Sequence, residues 1–359
     1  MGTPPQAHVP RPTGRQLPGS ASDRLSVVPG AGGAGRFRWS GPDPAECGDR
    51  PAVADNDLTA PTEPVKDPTV PENFLALPVR QELSPSVTLR QKGAIPVVVV
   101  DHPAGRAVVS LQGAQLVTWQ PSGEQPVVWV SDESSWTEGV AIRGGVPLCW
   151  PWFGPAGSPS HGFARVVEWE LAGTEETAEG VELTLALSED ERTLALWPHA
   201  FTATVRIRLG RDCTVELEVA GEHRSTGALH TYLHVGAADR TTVSGLGADY
   251  HDRVAAGDGR GPGSVVLDER VDRTYTAPAG LTPVDDAGLG RTIEVHHSGH
   301  SDVVVWNPGA QLSKEMADLA DEGYRGFVCV ETGRIGRDLV ATPGNPDRLA
   351  TTLRVVRPA

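Results

Sequence analysis

Basic residues are scarce in this chain, and so are cysteines, helical periodicity and long apolar runs. Lys and Arg number 31 against 46 Asp and Glu, giving a net charge of −15. That balance argues against the clustered basic face that DNA or RNA requires, so no nucleic-acid partner is expected. A small anionic metabolite is not excluded, because a few local arginines decide its binding. The four cysteines, Cys47, Cys149, Cys213 and Cys329, are widely scattered and make no CxxC pair. Their spacing disfavours a disulfide framework and predicts reduced thiols in a cytoplasmic protein. No stretch approaches the length of a membrane-spanning helix. The opening Met1-Gly2-Thr3-Pro4-Pro5 never builds the apolar run of a secretory signal. Neither membrane insertion nor export is expected.

Proline is concentrated at one end: residues 1–70 hold 12 of the 31 prolines, together with the run Gly30-Ala31-Gly32-Gly33-Ala34-Gly35. Such a segment buries too little apolar surface to offset its ordering entropy, so it is expected to be a disordered tail ahead of one folded domain over 71–359. From there short period-two segments follow one another between Gly, Pro and Asp turns. Phe201, Ala203, Val205, Ile207 and Leu209 share one strand face, and 181–187 and 214–219 alternate in the same way. Further strands are expected near 96–100, 107–111, 115–119, 126–130, 166–171, 264–267, 292–296, 302–306, 326–331 and 351–356. The pattern predicts an all-β protein, an antiparallel β-sandwich. One helix stands out, 313–320, with Ser313 as its N-cap and Gly323 as its stop. No internal repeat is visible.

Two segments carry chemistry. Ala228-Leu229-His230-Thr231-Tyr232-Leu233-His234 and Phe327-Val328-Cys329-Val330-Glu331-Thr332-Gly333 each read as a strand bearing an ionisable side chain in apolar company. An imidazole and a carboxylate on neighbouring strands can move protons at both ends of a bond. A histidine titrates near neutrality, and desolvation beside Phe327 and Cys329 would raise the basicity of Glu331. Arg143-Gly144-Gly145-Val146-Pro147 and His161-Gly162-Phe163-Ala164-Arg165 add guanidiniums, whose forks match phosphate oxygens.

In order along the chain, the motifs Arg143 to Gly154, Ser160-His161-Gly162-Phe163-Ala164-Arg165, Leu229-His230-Thr231-Tyr232-Leu233, Val303-Val304-Val305-Trp306-Asn307-Pro308, Lys314-Glu315-Met316-Ala317-Asp318 and Cys329-Val330-Glu331 resemble the aldose 1-epimerase superfamily. Within it they are most similar to the hexose-6-phosphate mutarotases (glucose-6-phosphate 1-epimerases), over roughly residues 85–356. The resemblance implies a galactose mutarotase-like supersandwich, no metal and no cofactor, and interconversion of the anomers of a hexose 6-phosphate. It places the general acid on His230 and the general base on Glu331. Substrate contacts fall on Arg143, Ser160, Arg165 and Asp272, and Ser160 departs from a longer amide in some relatives. A monomer is expected.

Each residue also has a blander role. His230 alone could be a hydrogen-bonded core histidine. His234 shares its face, but four residues of strand separate the two by about 13 Å, too far to share a zinc whose bonds are near 2 Å. His161 could close a turn or touch a sugar hydroxyl. Arg143 could satisfy carbonyls in a tight turn, and Arg165 could pair with Glu168 or Glu170. Lys314 and Asp318 read as a surface pair. His296, His297 and His300 read as solvated loop histidines, and Trp150, Trp152 and Trp169 as core. Three other functions stay open: a neutral-sugar mutarotase, a non-catalytic sugar-binding protein, and a glycosidase, which normally needs two carboxylates flanking the bond.

Overall fold

The computed structural model describes residues 70–357. The expectation for the proline-rich segment, and Cys47 within it, therefore lies outside the described residues but for Val70. Three antiparallel sheets account for the strands: a five-stranded meander from Gln81–Ser84 to Gln115–Pro121, a nine-stranded sheet and an eight-stranded sheet. Alternation decides which side of each strand is covered. Along Phe201–Leu209 every second residue is buried, and the register with Cys213–Gly221 sets Val205 against Leu217 and Ile207 against Val215. These residues merge with Val328, Val330 and Leu229 of the eight-stranded sheet and with Val98 and Val109 of the meander into one apolar core. The all-β antiparallel sandwich expected from the sequence is thus observed.

Within the eight-stranded sheet, Asp249–Asp252, Val271–Thr276, Asp302–Asn307, Phe327–Ala341 and His223–Leu229 lie side by side, and Tyr232–His234 also pairs with Phe327–Ala341. Val328 and Val330 face the shared core, so period two turns Phe327, Cys329 and Glu331 to the opposite face. That outer face carries the candidate site.

Several local expectations are revised. Residues 126–130 form only isolated bridges at Val128 and Val130, and 166–171 divides into a 3₁₀ turn at Ala164–Val166 and a strand at Glu170–Glu176. The helix expected at 313–320 is Gly309–Glu315 instead. Asn307 Oδ1 accepts the Gly309 N–H at 2.9 Å, so the chain turns into the helix four residues early. Ser313 sits inside the helix, its hydroxyl donating to the Ala320 carbonyl at 3.1 Å. A second short helix, Glu191–Leu196, is fixed by reciprocal bonds between Asp190 and Thr193, a capping box with threonine in place of the usual Glu or Gln. His296 and His297 lie on the strand Arg291–Ser298, not in a loop. His297 is buried, bridging Thr332 Oγ1 at 2.7 Å and Thr282 Oγ1 at 3.0 Å across the two large sheets. Burial takes its imidazole down to about 3.

Candidate active site

The segment 228–234 is not one continuous strand. Its first part ends at Leu229 and its second begins at Tyr232, with His230 and Thr231 between them. The register survives the break: Leu229 pairs with Thr332 and Tyr232 with Cys329, which sets His230 directly opposite Glu331. Between the two paired parts, the His230 N–H donates to the Pro147 carbonyl at 3.0 Å and the Val330 N–H to the Thr231 carbonyl at 3.0 Å. His230 Nε2 stands 3.5 Å from Glu331 Oε1, too long for a strong hydrogen bond. Each keeps a second polar atom, His230 Nδ1 and Glu331 Oε2, buried without a hydrogen-bond partner.

Aromatic rings fix the imidazole. Tyr232 stacks on it at 4.8 Å and 10°, and Trp306 meets it edge-on at 6.0 Å. Trp129 stacks behind Tyr232 at 6.0 Å. Trp150 and Trp169 are core residues as expected and Trp152 is partly buried against that core, whereas Trp129 and Trp306 pack against Tyr232 and Phe327 on the outer face.

The expected arginines converge on this pair by different routes. Arg143 lies where Gly144 and Gly145 let two backbones close: a Cβ on Gly145 would stand 2.3 Å from the Leu116 carbonyl oxygen. Its side chain does not cap a turn. Arg143 Nε and Nη2 donate to Asp318 Oδ2 at 3.0 and 2.9 Å, and Nη1 donates to the Tyr232 hydroxyl at 3.0 Å. Asp318 is therefore not the surface partner of Lys314. Arg165 is presented by the Ala164–Val166 turn, and its Nη2 donates to the Ser160 carbonyl at 3.0 Å. Its Nε is buried without a partner, and among the described residues it forms no ion pair, with Glu168, Glu170 or any other carboxylate. Ser160 Oγ donates to the Gly154 carbonyl at 3.2 Å, so its hydroxyl serves the loop. His161, at φ +64°, does close that loop through its N–H to the Gly154 carbonyl at 2.8 Å, and its ring also lies 6.1 Å from that of His230.

Asp272 shares the outer face, opposite Trp306 on the next strand, and receives a hydrogen bond from Arg253 Nη1 at 3.1 Å. Arg253 is the side chain that sequence reasoning missed. It carries no motif of its own, and only the pairing of Asp249–Asp252 with Val271–Thr276 brings it to Asp272. His234 is buried, its Nδ1 within 3.2 Å of the Pro126 carbonyl.

Burial dominates the electrostatics. Glu331 is pushed well above the ordinary carboxylate range by desolvation and by the nearby negative charge of Asp272, against an opposing pull from Arg253 and Arg165. Desolvation drives His230 well below its usual value, aided by His161, Arg165 and Arg143. His161 itself falls to about 4, first through burial and then through the three arginines. The neutrality expected to suit His230 as an acid is thus displaced. Burial favours the neutral form of both groups, the protonated carboxyl and the uncharged imidazole.

A buried imidazole and carboxyl stand opposed, with arginines beside them, on the face where motifs of the resemblance meet. The chain belongs to the aldose 1-epimerase family. The family model described as aldose 1-epimerase matches residues 96–354. A protein of Escherichia coli K12 named "putative glucose-6-phosphate 1-epimerase" is 43% identical over 291 residues, 80% of this chain and 99% of its own length. Its counterpart of the same name from Salmonella typhimurium LT2 is 46% identical over 289 residues, covering 79% and 98%. A crystal structure of a "putative mutarotase" from Salmonella typhimurium superposes with a TM-score of 0.79 at 45% identity, over 80% of this chain and 99% of that one. The family is one of isomerases, and a sugar is the ligand class its name implies.

Proposed function

We propose that this member of the family is a hexose-6-phosphate mutarotase, interconverting the α and β anomers of glucose 6-phosphate or a close relative, as a cytoplasmic monomer. The observation that carries the reading is the His230–Glu331 contact at 3.5 Å. In a pyranose the ring oxygen and the anomeric hydroxyl are both bonded to C1. The groups that protonate one and deprotonate the other must therefore lie within the span of a single hemiacetal. A glycosidase needs carboxylates further apart, about 5 Å or more, with the scissile bond between them.

In this reading Glu331, as carboxylate, takes the proton of the C1 hydroxyl while His230, as imidazolium, gives one to the ring oxygen. The C1–O5 bond breaks and an aldehyde forms. Rotation about C1–C2 presents the other face, and closure returns both protons, so the pair ends as it began. Where burial leaves the proton on the carboxyl, it must first move to the imidazole. A phosphoryl group against Arg165 would offset one of the positive charges that depress His230 and so favour that transfer. Each group contributes on the order of 10²–10⁴-fold.

Arg165 supports the phosphate. Arg143 already commits Nε, Nη1 and Nη2 to Asp318 and Tyr232, while Arg165 holds no carboxylate among the described residues and keeps a buried N–H to satisfy. Arg143 and Asp272 are read as contacts to the sugar, with Ser160 and His161 shaping the loop beside it.

The test is anomer-exchange NMR on glucose 6-phosphate and on glucose. Wild type should exchange the phosphate faster, His230→Ala and Glu331→Gln should lose exchange while still binding, and Arg165→Ala should chiefly weaken affinity for the phosphate. Equal acceleration of the two sugars would overturn the phosphate assignment in favour of a neutral-sugar mutarotase. Saturable binding with no acceleration would mean a binding protein.

A further inference from the structure

Arg253 is placed with more structure than a solvent-facing arginine needs. It follows the strand Asp249–Asp252, whose last residue pins the turn: Asp252 Oδ1 accepts the N–H groups of Val254 and Ala255, and Oδ2 accepts Arg273 Nε at 2.8 Å. The Arg253 N–H donates to the Asp272 carbonyl at 2.9 Å, and Nη1 to the Asp272 carboxylate at 3.1 Å. Its guanidinium carbon lies 5.4 Å from the centroid of Phe153. Phe153 meets His161 at 5.0 Å, and His161 meets His230 at 6.1 Å. An unbroken row of rings therefore leads from Arg253 to the acid–base pair. Backbone, carboxylate and ring together hold the guanidinium, yet among the described residues only Nη1 makes a hydrogen bond, and the side chain is 37% exposed.

We propose that Arg253 is a specificity-determining residue of the cleft, supplying with Arg165 the paired guanidiniums that grip the phosphoryl group of the substrate. The inference deepens the mutarotase reading and rests on it. Asp272 plays two parts here: one oxygen fixes Arg253, and the other is left for a sugar hydroxyl. Arg165 and Arg253 both act on His161 and on Glu331, which is consistent with two cations near enough to share one anion. Planarity matters at such a site, because a fork presents two donors where an ammonium presents a point charge.

The experiment compares wild type, Arg253→Ala and Arg253→Lys by anomer-exchange NMR over a range of glucose 6-phosphate concentrations, with inorganic phosphate as competitor. Arg253→Ala should raise KM about tenfold, the loss of one charge-assisted hydrogen bond at a partly exposed site. Its effect should fall on KM more than on kcat, and inhibition by phosphate should weaken by a similar factor. Arg253→Lys should recover part of both. An unchanged KM and unchanged phosphate inhibition in Arg253→Ala, with wild type still preferring the phosphorylated sugar, would overturn this inference alone. A fall in kcat at constant KM with a shifted pH profile would also overturn it, since Arg253 would then act only through Asp272 and Glu331. Wild type exchanging glucose as fast as its phosphate would overturn the parent reading and this one together.

Discussion

Replacing Glu331 by glutamine should make the protein inactive and, above mildly acidic pH, more stable. The carboxyl is 2% exposed, Oε2 has no partner, and desolvation holds its proton well above the ordinary value of 4.5. The unfolded chain therefore ionises near 4.5 while the native one holds its proton to higher pH. Over that interval the native state binds the extra proton, so unfolding free energy falls as pH rises, by about 1.4 kcal/mol for each pH unit. The wild type therefore loses stability from this group as pH rises from 5, until the native carboxyl itself ionises. Glutamine keeps the shape and cannot ionise, so the variant lacks that slope. Urea unfolding of both proteins at pH 5, 6 and 7 measures the difference, because titrating groups distant from Glu331 cancel. The stability advantage of the variant should widen toward pH 7, while NMR shows exchange reduced by about 10²-fold or more. Parallel pH dependences would mean that the carboxyl is solvated and that its raised basicity is not real. Undiminished exchange would remove Glu331 from the chemistry.

Three further outcomes follow from the same geometry. Asp318→Ala should lower kcat/KM about tenfold by freeing Arg143, as expected for loss of charge-assisted bonds at a half-buried pair; a double-mutant cycle with Arg143→Ala should show the two losses overlapping, and full additivity would refute the coupling. His297 binds its proton only near pH 3 in the fold but near 6.5 when unfolded, so stability should fall as pH drops below 6.5, by about 2 kcal/mol at pH 5. His297→Gln should flatten that fall in urea titrations, and an unchanged slope would count against the buried bridge. At Gly162, φ is +74° and an added Cβ would stand 2.0 Å from the Trp150 carbonyl oxygen, so Gly162→Ala should cost at least about 2 kcal/mol in thermal or urea unfolding; a smaller loss would mean that the loop carrying His161 and Arg165 is not held there.

Much of the framework was legible because period two is a local property. Phe201 to Leu209 alternates in sequence and is buried in that same alternation. Where a long-range partner sets the local geometry, reading by pattern failed. The helix near 313 begins at Gly309, whose N–H the Asn307 side chain receives, and His297 is buried because threonines on two different sheets receive it. The residues expected at the site do converge, but their companions were hidden. Tyr232 looked like a strand aromatic, Asp318 like a surface acid, and Arg253 like nothing in particular. Each gained its place from a partner 19 to 175 positions away in the chain.

The sequence by itself determined that His230 and Glu331 would each point away from the core, because their neighbours Leu229, Val328 and Val330 must face it. It determined too that arginines would flank glycine-bearing loops. Only the tertiary structure decided that the imidazole stands opposite the carboxyl. Antiparallel register is set by how two distant segments pack, and a slip of one residue would have sent one of the two into the core. Charge pairing was decided in the same way. Asp318 and Asp272 answer Arg143 and Arg253 while Arg165 is left without a carboxylate, because ion pairs form between neighbours in space, and chain order does not say who those neighbours are.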